Sequence, residues 1–281
     1  MNKNKTGKVI FAGAGPGDPE LITVKAIRYL QKADIVLTDR LVSEEILDTY
    51  VNSSAEIIYV GKQCGRSNSI SQQDINEMLV SYALQGNLVV RLKGGDISVF
   101  SNILDELEAV ESNGISYEII PGITAALGAA AYAGIPLTAR GHSTAVRFLT
   151  CYRSDIEKDN YWRELADTDD TLVFYMSSET LLYVVKKLTT NNIDADKLLA
   201  VVEQATTPFQ QVHIYNLYDC VKELKGRSFI SPSLVIIGKV VDLHNRFKWL
   251  ENSNSIEYYF KPITDRNPVL TGKATNHVNA I

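Results

Sequence analysis

The chain has 281 residues, 45% of them hydrophobic and 22% charged, which is the balance of a globular protein with a substantial core. Its formal net charge of −5, from 28 basic and 33 acidic residues, argues against general binding of nucleic acid. Three widely spaced cysteines without a CxxC pair argue against a disulfide framework, and four histidines without metal-ligand spacing argue against a zinc site.

Strand-like and helix-like runs alternate along the first half of the chain. Asp18 and Pro19 fit the N-cap and first position of one helix, and Ser71 with Asp74 fits the capping box of another. The alternation predicts right-handed βαβ units and a mostly parallel sheet. The predicted strands cover 8–12, 34–38, 56–60, 88–92 and 117–120, and the predicted helices cover 19–32, 71–85 and 101–113.

An uncharged stretch over residues 119–139 is rich in alanine and glycine and is interrupted by prolines. This composition disfavours a membrane span and predicts a buried helix of small residues at about 123–133. The N-terminal residues contain no recognisable signal peptide. Together with the cysteine usage, this favours a cytoplasmic protein without a membrane partner.

The second half of the chain predicts a mixed sheet, because the spacing of runs around 198–214 suggests antiparallel pairing. The predicted strands cover 145–150, 171–175, 198–202, 209–214 and 233–237, and the predicted helices cover 178–189 and about 216–224. We therefore predict an N-terminal α/β domain over residues 1–121 and a C-terminal α/β domain over 122–250. Residues 251–281 are predicted to form an appended, loosely ordered polar tail.

Four loops rich in glycine or charge follow predicted strands of the first half, at 13–18, 39–43, 61–66 and 93–96. Because the carboxyl ends of parallel strands lie at one edge of a sheet, the four loops together predict a binding site there.

The first of these loops only partly fits a dinucleotide-binding turn. Gly13, Gly15 and Gly17 follow a strand, but Asp18 stands where the G-x-G-x-x-G pattern needs glycine, and Pro16 stiffens the turn. An NAD site remains an alternative, with Asp39 as the ribose partner, and so does a purely structural turn. Gly94-Gly95-Asp96 suits a cofactor with a ribose and an amino group but no phosphate, such as S-adenosylmethionine.

The motifs taken together resemble those of uroporphyrinogen-III C-methyltransferases, in the tetrapyrrole methylase superfamily. The resemblance covers roughly residues 8–250 and rests on "GAGPGDPELIT", "ADIVLTDRLVS", "VGKQCG", "VVRLKGGD", "IIPGITAALGAAAYAGIPLT", "LVFYM", "VEQATTPFQQ" and "SPSLVIIGKVV". It implies a two-domain α/β fold, usually homodimeric, with S-adenosylmethionine in the cleft between the domains. It also implies methylation of uroporphyrinogen III to precorrin-2 through precorrin-1, on the routes to sirohaem and cobalamin.

The resemblance also implies roles for individual residues of this chain. The proposed proton acceptor falls on Asp39 and the proposed proton donor on Lys62. The implied cofactor contacts are Pro16, Gly94, Gly95, Asp96, Val99, Thr124, Ala125, Met176 and Ala205. Because the tetrapyrrole substrate carries many carboxylates, basic side chains are expected to bind it, above all Arg40, Arg66 and Arg140, with Lys62, Arg91, Lys93 and Arg147 as further candidates.

The chain departs from the family pattern mainly on the substrate side. Ile97 stands where proline is usual, Ser101–Glu106 replaces a glycine-rich loop, and Ala205 stands where glycine is usual. Three alternatives therefore stay open beside uroporphyrinogen methylation. They are a related methyltransferase acting on another corrinoid precursor, an NAD(P)-dependent oxidoreductase, and a non-catalytic anion-binding module.

Overall fold

The computed structural model describes residues 6–61, 70–151 and 159–260, together with the backbone of residues 269–270. The chain divides into two compact units. Unit 1 comprises the residues up to Thr124 together with those from Phe260 onward, and unit 2 comprises Ala125 to Tyr259. Each unit is built on its own β-sheet.

Five strands of unit 1 form a parallel sheet in the order β3-β2-β4-β1-β5, and the prediction of a mostly parallel sheet is therefore confirmed. Buried apolar residues pack on both faces of the sheet, so β1 and β2 are nearly continuous buried runs, whereas the edge strand β5 is largely exposed. These strands are β1 (Lys8–Gly13), β2 (Ile35–Thr38), β3 (Glu56–Tyr59), β4 (Leu88–Lys93) and β5 (Ser116–Ile120).

The helices of unit 1 are α1 (Val24–Leu30), α2 (Glu44–Tyr50), α3 (Gln72–Leu84) and α4 (Leu104–Ser112). The predicted capping box of α3 is confirmed, since the Ser71 side chain accepts from the Asp74 backbone and the Asp74 side chain accepts from the Ser71 backbone. The predicted helix over 19–32 is split, because Ile22 and Thr23 are extended. Asp18 caps a short 3-10 helix over Pro19–Leu21, and Thr23 caps α1.

Glu118 on the edge strand β5 lies among three donors of the same unit. Its carboxylate pairs with Lys25, accepts from Lys8 Nζ at 2.8 Å and accepts from Tyr29 Oη at 2.6 Å. These hydrogen bonds, above all those from the two lysines, lower the pKa of Glu118 from 4.5 to about 2. A carboxyl group with a lowered folded-state pKa stabilises the fold above its unfolded pKa, and that contribution is lost as the pH falls towards 2.

The Glu118 cluster predicts an acid-dependent difference in stability. Glu118→Gln should lower the urea midpoint relative to wild type at pH 6, and the gap should narrow at pH 3.5, because the unfolded wild-type chain then gains a proton. Urea unfolding followed by circular dichroism measures both midpoints. Glu108→Gln, on an exposed position of α4, serves as the control. If the difference in urea midpoint between Glu118→Gln and wild type is the same at pH 6 and pH 3.5, the prediction is contradicted.

The sheet of unit 2 is mixed, as predicted, with the order β6-β7-β10-β8-β9. Strands β6 and β7 are parallel, and the other neighbouring strands pair antiparallel. The strands are β6 (Val146–Thr150), β7 (Thr171–Tyr175), β8 (Leu198–Glu203), β9 (Gln211–Asn216) and β10 (Ser233–Gly238).

The alanine-rich segment of unit 2 forms helix α5 (Ala125–Tyr132), which buries Ala126, Gly128 and Ala129. The remaining helices are α6 (Asp159–Asp167), α7 (Leu181–Thr190), α8 (Val221–Leu224) and α9 (His244–Phe247). No helix within the described ranges has the length and apolar character needed to cross a bilayer.

The described part of the polar C-terminal segment, residues 251–260 and the backbone of 269–270, makes specific contacts with both sheets. Asn252 pairs through its side-chain amide with both backbone groups of Val212 on β9, at 2.7 and 2.9 Å. Phe260 is buried in unit 1, and strand β11 (Val269–Leu270) pairs antiparallel with β3. The polar side chains of this segment bond the open edge of β9, which composition alone does not reveal.

Candidate functional site

Four glycines bring the loops at the carboxyl edge of the unit 1 sheet into backbone contact. Gly15 and Gly95 form a two-way bridge, with N···O distances of 3.1 and 2.7 Å. A Cβ on Gly13 would lie 2.6 Å from the Gly95 carbonyl oxygen, and a Cβ on Gly122 would lie 2.3 Å from it. Glycine is therefore required at these positions because the loops after β1, β4 and β5 meet there without room for a side chain.

Asp96 fastens the loop after β4 through both carboxylate oxygens. Oδ2 accepts from the Gly122 backbone at 2.8 Å, and Oδ1 accepts from the Ser98 backbone at 2.8 Å. Each oxygen retains a second lone pair, so a ligand donor could still bind. A role of Asp96 towards the cofactor remains a prediction, and its role in holding the loop is a finding.

The first glycine loop presents a carboxylate where a dinucleotide site would bind phosphate. Asp18 Oδ1 accepts from the Glu20 backbone at 2.8 Å, and the helix that it caps is a single 3-10 turn. A negative charge at this helix start repels a pyrophosphate that the N-terminus would otherwise attract. Pro16 is buried beside it. The loop therefore fits a cofactor without phosphate and argues against NAD.

Asp39 lies directly after β2, where its backbone N–H donates to Leu92 O at 3.2 Å. Its Oδ1 accepts from Arg91 Nη2 at 2.7 Å, and its side chain is 25% exposed. The carboxylate is thus anchored at one oxygen and open to solvent. The neighbouring Arg40 is half-buried, donates to Phe260 O at 3.5 Å, and has its pKa lowered by burial.

Behind Asp39 lies a buried group of charges formed by Arg91, Lys93 and Glu106. Glu106 accepts from Arg91 Nε at 3.1 Å and from Lys93 Nζ at 3.0 Å, and all three side chains are nearly inaccessible. Burial, followed by the positive charge of Arg91, lowers the pKa of Lys93. Arg91 and Lys93 therefore cannot meet substrate carboxylates as the sequence suggested. Arg147, another candidate for binding substrate carboxylates, forms ion pairs with Glu164 and Asp170 of the protein itself.

Glu106 is a buried polar residue of this region that the sequence reading missed. A signal was present, because "LVVRLK" places two cations in a strand that is otherwise apolar and lies centrally in the sheet. Buried cations need a carboxylate partner, and Glu106 is at the beginning of the next helix.

Two predicted cofactor contacts of unit 2, Met176 and Ala205, lie in or beside backbone of unusual conformation. Met176 follows β7 with φ of 51° and is 52% exposed. Ala205 lies between Gln204 and Thr206, whose φ values are 46° and 66°. A β-branched residue such as Thr206 rarely adopts positive φ, and such strain concentrates at functional sites. Gln210 Oε1 holds the loop by accepting from the Thr206 backbone at 2.8 Å.

Residues 8–220 of the chain match the family of tetrapyrrole (corrin/porphyrin) methylases. The chain belongs to this family. The resemblance drawn from its motifs, and with it the two-sheet α/β fold class, is therefore confirmed. Tetrapyrrole methylases use S-adenosylmethionine. No group of three or more potential metal ligands occurs among the residues that the structure describes.

Curated relatives of this methylase chain include siroheme synthases. It is 44% identical over 247 residues to siroheme synthase 2 of Aeromonas hydrophila, covering 88% of this chain and 52% of that protein. It is 41% identical over 247 residues to the siroheme synthase of Vesicomyosocius okutanii, covering 88% of this chain and 53% of that protein. The chain thus spans about half the length of the curated relatives it matches.

Solved structures of methylases resemble the chain over most of its length. The uroporphyrin-III C-methyltransferase of Thermus thermophilus, complexed with S-adenosylhomocysteine, is 34% identical with a TM-score of 0.70, covering 84% of this chain and 100% of that chain. A cobalt precorrin-4 methyltransferase is 25% identical with a TM-score of 0.75, covering 86% of this chain and 99% of that one.

The other residues that the methylase resemblance singles out have varied surroundings. In unit 1, Val99 is half-buried and Thr124 is buried. In unit 2, Ala125 is the first residue of α5, and Arg140 is exposed. Lys62 and Arg66 lie outside the described residues.

Proposed function

We propose that the chain transfers methyl groups from S-adenosylmethionine to carbons of uroporphyrinogen III, giving precorrin-2 through precorrin-1 for sirohaem or cobalamin synthesis. The observation that best supports this proposal lies at the edge of the unit 1 sheet. There the loops pack on glycines, Asp18 occupies the place where a dinucleotide site would bind phosphate, and the carboxylate of Asp39 is partly exposed. The Thermus thermophilus enzyme and the siroheme synthases support the choice of substrate.

The residues proposed to hold the cofactor form two sets. Unit 1 contributes Pro16, Gly94, Gly95, Asp96, Val99 and Thr124, and unit 2 contributes Ala125, Met176 and Ala205. The capped start of the 3-10 helix and the close backbone packing suit a ligand with ribose, adenine and an amino-acid group. When bound, S-adenosylmethionine supplies an activated methyl group on a sulfonium, whose carbon–sulfur bond breaks with its electron pair left on sulfur.

Asp39 is proposed to accept the proton that the macrocycle loses after its carbon forms the new bond to methyl. One of its oxygens is held by Arg91, and no described residue donates a hydrogen bond to the other. A carboxylate that is fixed at one oxygen and lies at a partly exposed strand end suits proton acceptance. Lys62 is proposed as the proton donor, and Arg40, Arg66 and Arg140 as partners for substrate carboxylates.

Two measurements test the proposed function. Calorimetry should detect binding of S-adenosylhomocysteine and no binding of NADH, since Asp18 disfavours a pyrophosphate. Mass spectrometry of products from uroporphyrinogen III and isotopically labelled S-adenosylmethionine should show two transferred methyl groups. Binding of NADH alone would contradict the methyltransferase. Cofactor binding without methylation of uroporphyrinogen III, but with methylation of another corrinoid precursor, would favour the relationship to the cobalt precorrin-4 enzyme.

We further propose that the protein acts in the cytoplasm as a homodimer, the assembly usual in the family that its motifs resemble. The reduced cysteines Cys151 and Cys220, both buried in the structure, agree with a reducing compartment. Light scattering after size-exclusion chromatography tests the dimer, and a monomeric mass at micromolar concentration would contradict it.

A further inference from the structure

We infer that Arg91 is a positioning residue for Asp39, held in place by the buried carboxylate of Glu106. The inference rests on the proposed function, in which Asp39 accepts a proton from the substrate. The inference gives the buried charges of Arg91 and Glu106 a role in methyl transfer, although both side chains are nearly inaccessible.

The guanidinium of Arg91 has hydrogen-bond acceptors on each of its three nitrogens. Nε donates to Glu106, and Nη1 contacts the carbonyl oxygens of Leu37 at 3.3 Å and Leu92 at 3.4 Å. Nη2 donates to Glu106 at 3.2 Å and to Asp39 at 2.7 Å. The five N–H groups of an arginine form a rigid planar fork, so these contacts fix the direction in which Nη2 meets Asp39.

Glu106 is the counter-charge that makes this buried arginine tenable. Its side chain is 0% exposed, and that of Arg91 is 2% exposed. A cation at such depth is strongly disfavoured unless it is paired and hydrogen-bonded. Lys93 contacts the same carboxylate, so the two cations, Glu106 and Asp39 carry balanced charge when all are ionised.

Strand β4 links this group to the cofactor loop. Arg91 lies on β4, and the strand continues through Lys93 directly into Gly94-Gly95-Asp96. One rigid element therefore sets the place of the proposed base and the place of the proposed cofactor contacts. A catalytic group must be held to within a fraction of an ångström of its productive position, and Arg91 supplies that constraint for Asp39.

If Arg91 only stabilised the fold, its hydrogen bond to Asp39 would not be needed. Glu106 already binds Arg91 through Nε and Nη2, and buried ion pairs are weak evidence for stability in general. The additional bond reaches out of the buried region to a carboxylate that is 25% exposed. The bond to Asp39 is therefore the part of the network that faces the site.

A double-mutant cycle tests the inference. Arg91→Gln alone would leave Glu106 buried without its main partner and destabilise the fold, so the perturbing variant is R91Q/E106Q. It removes one charge of each sign, and the amide oxygen at position 106 can still accept from Lys93 Nζ. The kcat and KM of methyl transfer and the Kd for S-adenosylhomocysteine are measured for wild type, R91Q/E106Q, Asp39→Asn and the triple variant. Arg28→Gln, on an exposed position of α1, is the matched arginine control.

We expect R91Q/E106Q to lower kcat by about tenfold to a hundredfold through misplacement of Asp39, with KM and Kd changed less than threefold. In the Asp39→Asn background the same change should have almost no effect, because Arg91 acts through Asp39. An unchanged kcat, or an equal loss in both backgrounds, would overturn the inference. A general loss of the fold is excluded by retained affinity for S-adenosylhomocysteine.

Failure of this inference can be distinguished from failure of the proposed function. If wild type methylates no tetrapyrrole, the substrate assignment fails, and a crystal structure of R91Q/E106Q still tests the positioning. Compared with a crystal structure of wild type determined alongside it, Asp39 should change its rotamer or become disordered. An Asp39 side chain that keeps its place without Arg91 would overturn the inference.

Discussion

Replacing Gly122 with alanine is expected to weaken binding of S-adenosylhomocysteine by at least about a hundredfold, because an ångström-scale displacement of a ligand loop has effects of this size. The new Cβ would lie 2.3 Å from the Gly95 carbonyl oxygen and 2.9 Å from Gly13. Both neighbours are backbone atoms in the glycine contact that joins three loops, so no flexible side chain can move aside. The loop carrying Gly94, Gly95 and Asp96 must therefore shift.

Gly114→Ala is the matched control for this prediction. Gly114 has φ of 64°, but a Cβ there meets nothing within 4 Å. The control thus introduces a backbone strain of about 1–2 kcal/mol without displacing a loop. Calorimetric titration of both variants compares the two effects, and thermal unfolding verifies that each is folded. If Gly122→Ala bound the ligand as tightly as Gly114→Ala, the glycine contact among the three loops would not position the cofactor loop.

The architecture could be predicted from the sequence because local signals agree with one another. The buried parallel strands are predominantly apolar runs, and the capping box of Ser71 and Asp74 marks the beginning of α3. Helix α2 has only Ile46 and Leu47 buried, and its seven residues carry too little periodicity to be recognised. Strand β11 is two residues long and pairs with β3 across a large sequence separation, which local patterns do not encode.

The sequence places the candidate site at one edge of the unit 1 sheet, but it does not reveal all the contacts that the structure has there. Charged and glycine-rich loops at successive strand ends indicate a functional edge, and the structure brings Gly13, Gly95 and Gly122 together there. The sequence could not show that Arg91 and Lys93 face a buried carboxylate. Both faces of this sheet are covered, so alternation along β4 does not separate core from site.

The loop that departs from the family pattern keeps an unusual backbone without the glycines that favour it. Phe100 and Asn102 have φ values of 52° and 51°. Ile97 is fully buried where the pattern has proline, and its carbonyl accepts from the Ser101 hydroxyl. The loop is thus anchored at Ile97 and at Glu106, and both residues of positive φ lie between these two anchors.

Asp39→Asn is expected to lower the rate of methyl transfer by about a hundredfold, the usual effect of losing a proton-transfer group. Asparagine keeps the size of the side chain, and its amide oxygen can still accept from Arg91 Nη2. What is lost is the negative charge and the ability to take up a proton. Affinity for S-adenosylhomocysteine should stay within a few-fold, because the glycine contact and Asp96 are untouched.

Glu45→Gln is the matched control for Asp39→Asn, since Glu45 is an exposed carboxylate on the neighbouring helix α2. Single-turnover assays with labelled S-adenosylmethionine separate methyl transfer from product release. A rate equal to that of wild type would remove Asp39 from the mechanism. A loss of affinity for S-adenosylhomocysteine that matches the loss of rate would instead make Asp39 a cofactor ligand. A slow rate with intact affinity is the result expected of a carboxylate that Arg91 holds at one oxygen and that is partly exposed.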